Sequence, residues 1–290
     1  MNINFEQTVP LEDLVIRDPC ILLHDGLYYL YCSMPPGYGC YVSKDLQQWA
    51  GPHKIYHPPE GHPGNDCWWA PECHAYQGKL YLFATYKSAI TQKRGVSIFR
   101  AQSPLGPFEE ISRPCPSQWD TIDGTLYIDK KGIPWMVFVH EWTSMLDQIG
   151  DFTAAPLSPD LTRFTGEPQP MFKATELPGS PENHVTDGCW LYRTKDDALV
   201  MLWSGFSQDG YVQAQARSQT GEITGPWEQL PLLYKKGGSI TQDGGHGMIF
   251  TTREGRIMLC MHSPNGGAPA RVKLVELVDV GDRLEVMVTL

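Results

Sequence analysis

The sequence predicts an all-β protein, a five-bladed β-propeller, and three observations carry that prediction. First, one unit recurs along the chain: an acidic residue or His beside a small residue, a short apolar strand, a polar turn and a second apolar strand. Its anchors are Asp18, Glu72, Asp123, Asp187 and His246, a period of roughly fifty to sixty-five residues that strand-built propellers use. Second, 9 Trp and 13 Tyr stand against only 19% charged residues, a balance that suits half-buried strands. Third, 28 Gly and 24 Pro punctuate the chain with turns, and no stretch of helix length keeps a 3.6-residue period. Five units account for all 290 residues, so residues 1–290 read as one domain with blades starting near 18, 72, 123, 187 and 246.

Taken in order, residues 1–16 are a lead-in whose apolar part, Leu11–Ile16, can pair with another strand and help close the ring. Blade one has strands near Cys20–Leu23, Leu27–Ser33 and Gly39–Ser43, then the turn Ser43-Lys44-Asp45-Leu46 with Trp49 as an aromatic plug. Blade two has Cys73–Tyr76, Lys79–Tyr86 and Gly95–Ala101. It closes on Gly106-Pro107-Phe108, and blade four closes in the same way on Gly225-Pro226-Trp227. Blade three has Thr125–Ile128, Pro134–Trp142 and Asp151–Leu157. Blade four has Cys189–Arg193, Ala198–Phe206 and Gly210–Ser218. Blade five has Gly247–Thr251, Arg256–His262, Ala270–Val278 and Arg283–Thr289, the last two with the clearest apolar–polar alternation. The stretches 52–68 and 164–184, rich in Pro with Gly and His or with Glu, read as irregular loops that wall a pocket.

Composition excludes several functions. A net charge of -10 and a pI near 5.3 argue against nucleic acid and against an anionic membrane surface, because an acidic surface gains nothing from counterion release there. No run reaches the roughly 18 apolar residues of a membrane helix. The first residues, Met1–Glu6, carry neither a basic region nor an apolar run. The eight Cys are scattered and lack the close pairs of a zinc site, so they read as reduced thiols and the protein as cytoplasmic.

The anchors carry chemistry. In a propeller the innermost strand of each blade lines the axis, so residues at the strand starts converge from distant parts of the chain. Several carboxylates around one cavity repel one another and are costly to desolvate, but such neighbours push carboxyl pKa values apart, as acid–base chemistry requires. Inverting glycoside hydrolysis needs two carboxyl groups with a water between them. Trp68, Trp69, Trp142 and Trp190 can stack on sugar faces beside such a cleft.

At these residues the chain resembles glycoside hydrolase family 43, five-bladed propeller enzymes acting on arabinose- and xylose-containing glycans. The resemblance rests on Arg17-Asp18-Pro19, Trp69-Ala70-Pro71-Glu72, Thr121-Ile122-Asp123-Gly124 and Gly245-His246-Gly247, in order and at blade spacing. It implies that Asp18 is the general base, that Asp123 orients the acid and tunes its pKa, and that His246 points into an axial channel beside a structural calcium or sodium. The family's acid is usually a Glu followed by Gly-Pro or Ala-Pro. Here Asp187-Gly188-Cys189 stands in its place, one methylene shorter, with Glu182 and Glu141 as the alternatives.

On this reading the protein is an inverting exo-glycosidase that removes terminal α-L-arabinofuranosyl groups, with a carbohydrate as its only partner. A β-D-xylosidase is the near alternative, and the Asp187 departure motivates a third, a sugar-binding propeller without catalysis. A glycoside phosphorylase would need a basic phosphate cluster, and Arg17, Arg193, Arg217 and Arg271 form no dense group in the sequence. Catalysis is expected from Asp18, Asp123 and Asp187. Sugar contacts are expected from Trp69, Trp142, His140 and Arg271, the last reaching in from the Asn265–Pro269 loop. Glu72 reads as structural, bonding backbone groups near the channel.

Overall fold

The structure, a computed structural model, describes residues 3–287. Its 21 strands form five antiparallel sheets. Strands β1 (Val9–Pro10), β2 (Cys20–His24), β3 (Leu27–Ser33), β4 (Tyr38–Ser43) and β5 (Gln48–Tyr56) make the first blade, in the order β1-β5-β4-β3-β2. The second is β6 (Gly64–Tyr76), β7 (Lys79–Ser88), β8 (Arg94–Ala101) and β9 (Glu109–Ser112). The third is β10 (Thr121–Ile128), β11 (Pro134–His140), β12 (Asp151–Pro156) and β13 (Gln169–Lys173). The fourth is β14 (Asp187–Arg193), β15 (Leu199–Ser207), β16 (Gly210–Ser218) and β17 (Trp227–Gln229). The fifth is β18 (Gly245–Thr251), β19 (Ile257–Ser263), β20 (Arg271–Asp279) and β21 (Leu284–Val286). Among the described residues, helix is confined to three 3-10 turns of three residues each, and no helix is long and apolar enough to cross a membrane.

The five-bladed propeller is as expected, with differences at the blade edges. The predicted loop 52–68 is mostly strand: β5 runs to Tyr56 and β6 begins at Gly64. The stretch 164–184 contains β13. Predicted strand Arg283–Thr289 is seen as Leu284–Val286, and Val288 and Thr289 lie outside the described residues.

Cores form where blades face each other. One cluster joins blades one, two and five through Tyr31, Trp68, Phe99 and Phe250. Another joins blades three and four through Phe152, Phe172 and Trp203. A third joins blades two and three through Phe83, Ile98 and Phe138, and a fourth joins blades four and five through Leu202, Leu259 and Met261. Trp49 plugs its blade turn as predicted, and Phe108 and Trp227, the aromatics of the two Gly-Pro endings, are buried likewise. The indoles of Trp49 and Trp227 each donate to a turn carbonyl, Leu46 O and Ile223 O, both at 3.1 Å.

A backbone device repeats at the start of each inner strand. Asp18, Ala70, Asp123, Gly188 and His246 all take a positive φ between 43° and 54°. In blades two to five the ladder skips a register there, between Trp69 and Glu72, Ile122 and Thr125, Asp187 and Trp190, and Gly245 and Met248. Such bulges bend a strand and re-aim its side chains. They are also why Asp, His and Gly recur, since these residues visit the left-handed region more readily than others. The true anchor of blade two is therefore Ala70 rather than Glu72, and that of blade four is Gly188 rather than Asp187.

The first and last blades meet along a seam. Val15 bridges Arg271, and the Ile16 N–H donates to Ala270 O at 3.1 Å. The Arg271 guanidinium donates to Glu12 O at 2.6 Å. The lead-in thus pairs twice: β1 with β5, and residues 15–16 with blade five.

Candidate active site

A cavity of about 590 Å³ opens over the propeller axis, a size typical of small-ligand sites. Asp18, Asp123, Asp187, His246, Trp69 and Trp142, six of the predicted site residues, line it. So do Arg17, Arg94 and Glu141. Directly along the axis, a cavity of about 10 Å³ is bounded by Glu72, Asp18, Asp123 and His246, among others.

Asp18 is held by two imidazoles. His246 Nδ1 lies 3.2 Å and His262 Nδ1 3.1 Å from its Oδ1. His262 is fully buried. Its Nε2 bonds Asn265 Oδ1 at 2.9 Å, and the same oxygen accepts from Arg17 Nη2 at 2.7 Å. Arg17 only donates, so it is the Asn265 oxygen that faces it, and His262 Nε2 must carry a proton. Burial opposes ionisation of Asp18, but His246 and His262 outweigh it and hold the carboxyl below the usual carboxylate range.

The other two acids are pushed the opposite way. Asp123 is raised, chiefly by burial, with His246 opposing and the Asp18 charge adding. It accepts from the Gly188 N–H at 3.0 Å, and its own N–H donates to Thr85 Oγ1 at 3.2 Å. Asp187 is raised well above the ordinary range by burial and then by the Asp123 charge, against His246. Tyr211 donates its hydroxyl to Asp187 Oδ2 at 3.1 Å. Burial works against a charged His246, but Asp18, Asp123 and Asp187 raise its pKa. Asp18 and Asp187 are therefore pushed in opposite directions within one cavity.

Close packing fixes this arrangement. A methyl on Gly188 would stand 2.7 Å from His246 Cδ2, and one on Gly247 would stand 2.4 Å from a Leu259 methyl.

Not every predicted residue reaches the cavity. His140 is the last residue of β11; side chains alternate along a strand, so His140 faces away while Glu141 faces in. The His140 ring stacks on Trp119 at 4.1 Å and bonds Ser144 Oγ at 3.1 Å. Arg271 belongs to the seam, as its bond to Glu12 shows. Glu182 is exposed in the loop before β14 and does not line the cavity. Trp190 stacks on His74 at 5.1 Å instead of facing the cavity. Trp68 borders the cavity but is only 2% exposed, stacked on Tyr86. Trp69, at 39% exposure, is the open indole. Glu72 bonds the His74 side chain at 2.7 Å rather than backbone groups. Asp120 is occupied by Lys93 Nζ at 2.8 Å and the Arg94 N–H at 3.0 Å.

The residues missed from sequence are His262, Tyr211 and Arg94. His262 and Tyr211 sit in predicted strands with no turn residue or motif to mark them. Among the described residues no three His, Cys, Asp or Glu side chains converge as a metal cage. His246 Nδ1 is already engaged by Asp18.

The description "Glycosyl hydrolases family 43" matches residues 8–278. The chain belongs to glycosyl hydrolase family 43. It is accordingly a glycosidase, and its substrate is a carbohydrate. Among solved structures, family 43 likeness is strong to an endo-arabinase from Bacteroides thetaiotaomicron VPI-5482, with 37% identity over 93% of this chain and 97% of that one and a TM-score of 0.84. A thermostable family-43 glycoside hydrolase shares 20% identity over 97% and 96% of the two chains, with a TM-score of 0.82. An α-L-arabinofuranosidase from Lactobacillus brevis shares 17% over 93% and 94%, with a TM-score of 0.75. These last two share the fold. A search of curated proteins finds no match.

Proposed function

We propose that this family 43 protein hydrolyses α-L-arabinofuranosyl linkages with inversion, releasing terminal arabinose. Asp18 activates the water, Asp187 protonates the leaving oxygen, and Asp123 positions Asp187 and adjusts its pKa. The observation that carries the reading is the opposed surroundings of Asp18, between two imidazoles, and Asp187, buried beside Asp123, within one cavity. Inversion needs such a pair. In support of the shorter acid at 187, it lines the same cavity and accepts from Tyr211.

The sugar assignment draws on the 37% identity to an endo-arabinase. That likeness also favours a second reading, cleavage within an arabinan chain. The two separate on linear arabinan: release of arabinose alone from the start supports terminal cutting, whereas early short oligosaccharides support internal cutting. Aryl α-L-arabinofuranoside and aryl β-D-xyloside should be tested side by side. Turnover of the arabinoside, with Asp18→Asn lowering kcat by about 10²–10⁴, is the expected result. Turnover of the xyloside alone would overturn the sugar assignment, and an unaltered rate in Asp18→Asn would overturn its role as base.

A further inference from the structure

Glu141 is a buried carboxylate that the chemistry above does not use. It is 2% exposed and yet lines the cavity between the wall of blade two and Trp142. Its Oε2 lies 2.5 Å from Arg94 Nε, but the N–H is not aimed along that contact, and both atoms lack an aligned hydrogen bond. Apart from that Arg94 contact, nothing among the described residues donates a hydrogen bond to the Glu141 carboxyl. A buried acceptor left unmet costs free energy unless something else meets it.

The surroundings hold this carboxylate in place. The Glu141 N–H donates to Asp120 O at 2.9 Å. Asp120 takes Lys93 and the Arg94 backbone, Thr143 Oγ1 donates to Asp120 Oδ2 at 3.2 Å, and Arg94 Nη2 donates to Thr143 Oγ1 at 3.2 Å. The Arg94 guanidinium also lies 5.8 Å from the Trp69 ring centroid. Burial nevertheless pushes the Glu141 carboxyl up to about 7 against the Arg94 charge, and Arg94 leaves acceptor positions on it open. A buried carboxyl with open lone pairs beside an exposed indole suits a polyhydroxylated, uncharged ligand, which offers O–H donors at the edge of an apolar ring face.

We propose that Glu141, braced by Arg94, accepts hydrogen bonds from hydroxyls of the bound sugar and is a specificity-determining residue of the pocket. The inference rests on the glycosidase reading and deepens it. It gives Glu141 a role in binding, not in proton transfer to the leaving oxygen. A sugar carrying a carboxylate would meet Glu141 together with Asp18, and binding of such sugars should be weaker than that of their neutral counterparts.

The test measures binding of arabinotriose by calorimetry to Asp18→Asn, alone and combined with Glu141→Gln, beside kcat/KM of the otherwise wild-type Glu141→Gln on aryl and natural substrates. Above pH 7, where Glu141 is ionised, a charged hydrogen bond is worth about 1.5–3 kcal/mol, so Glu141→Gln should weaken binding about 10- to 150-fold there. It should lower kcat/KM on the aryl glycoside and on the oligosaccharide by the same factor. Unchanged binding overturns the proposal. So does a loss confined to the oligosaccharide with the aryl glycoside spared, because that pattern marks a general acid. Should Glu141→Gln fail to fold, a series of monodeoxy arabinosides on the wild type replaces it. One hydroxyl whose removal costs at least 10-fold supports the proposal, and equal affinity across the series overturns it. If the wild type turns over neither arabinoside nor xyloside and Asp18→Asn does not bind arabinotriose, the glycosidase reading fails, and the inference with it. Turnover with a silent Glu141→Gln sinks the inference alone.

Discussion

At the scale of single residues, the three acids differ in what surrounds them more than in what they are. Asp18 faces two imidazoles, whereas Asp187 faces burial and another carboxyl. The pH profile of kcat/KM should follow. As the proposed base, Asp18 must be ionised, and its pKa is depressed, so the acid limb should fall below the ordinary carboxyl range. As the proposed acid, Asp187 must keep its proton, and its pKa is raised, so the alkaline limb should lie well above that range. Tyr211 stabilises the charged form of Asp187 by donating to it. Tyr211→Phe should therefore move the alkaline limb further up, and a shift downward would contradict the assignment of Asp187 as acid. Asp187→Asn should cut kcat on an arabino-oligosaccharide by about 10²–10⁴ but spare an aryl glycoside with an acidic leaving group, which departs without a proton. Equal losses on both would reassign the role. Asp18, Asp123 and Asp187 were legible because Pro or Gly follows each of them. His262 and Tyr211 were not, since a strand residue that turns inward looks like any other member of an alternating pattern.

At the scale of strands, the repeated bulge at Asp18, Ala70, Asp123, Gly188 and His246 explains why the repeat could be read at all. Left-handed backbone demands a narrow set of residues, and that demand writes itself into the sequence at blade spacing. The two shifted anchors, Glu72 and Asp187, went astray because Ala70 is the unusual member of the set and Gly188 is chemically silent. The outer strands were harder to see. Strands β9 and β17 hold 4 and 3 residues, too few to show a period of two, and β5 contains Gly51-Pro52, which reads as a break. Gly188→Ala tests the bulge. Gly188 sits at φ +45, and the added methyl would press on the His246 ring. Strain of this kind costs about 1–3 kcal/mol, so the melting temperature should drop and, with His246 displaced from Asp18, kcat should drop as well. Wild-type kinetics in Gly188→Ala would show that His246 does not hold the base.

At the scale of the whole molecule, the seam between blades one and five runs through the site. Arg17 donates to Asn265 O at 3.0 Å and to its Oδ1 at 2.7 Å, and the Asp18 N–H lies 3.3 Å from His262 Nδ1. The contacts that close the ring are thus continuous with those that depress the Asp18 pKa. Arg17→Ala should lower the temperature at which activity is lost by more than it lowers the temperature at which the β-sheet signal is lost in circular dichroism. Coincident shifts of equal size would show that the seam and the base are independent.

That continuity has a meaning for a chain still being made. Synthesis delivers Asp18 early, but His246, His262 and Asn265 come with the last blade. Until then the carboxyl has neither imidazole beside it and no reason to be more acidic than any other aspartate. With Asp18 as the proposed base, hydrolysis should therefore require the fifth blade, which brings both imidazoles to it.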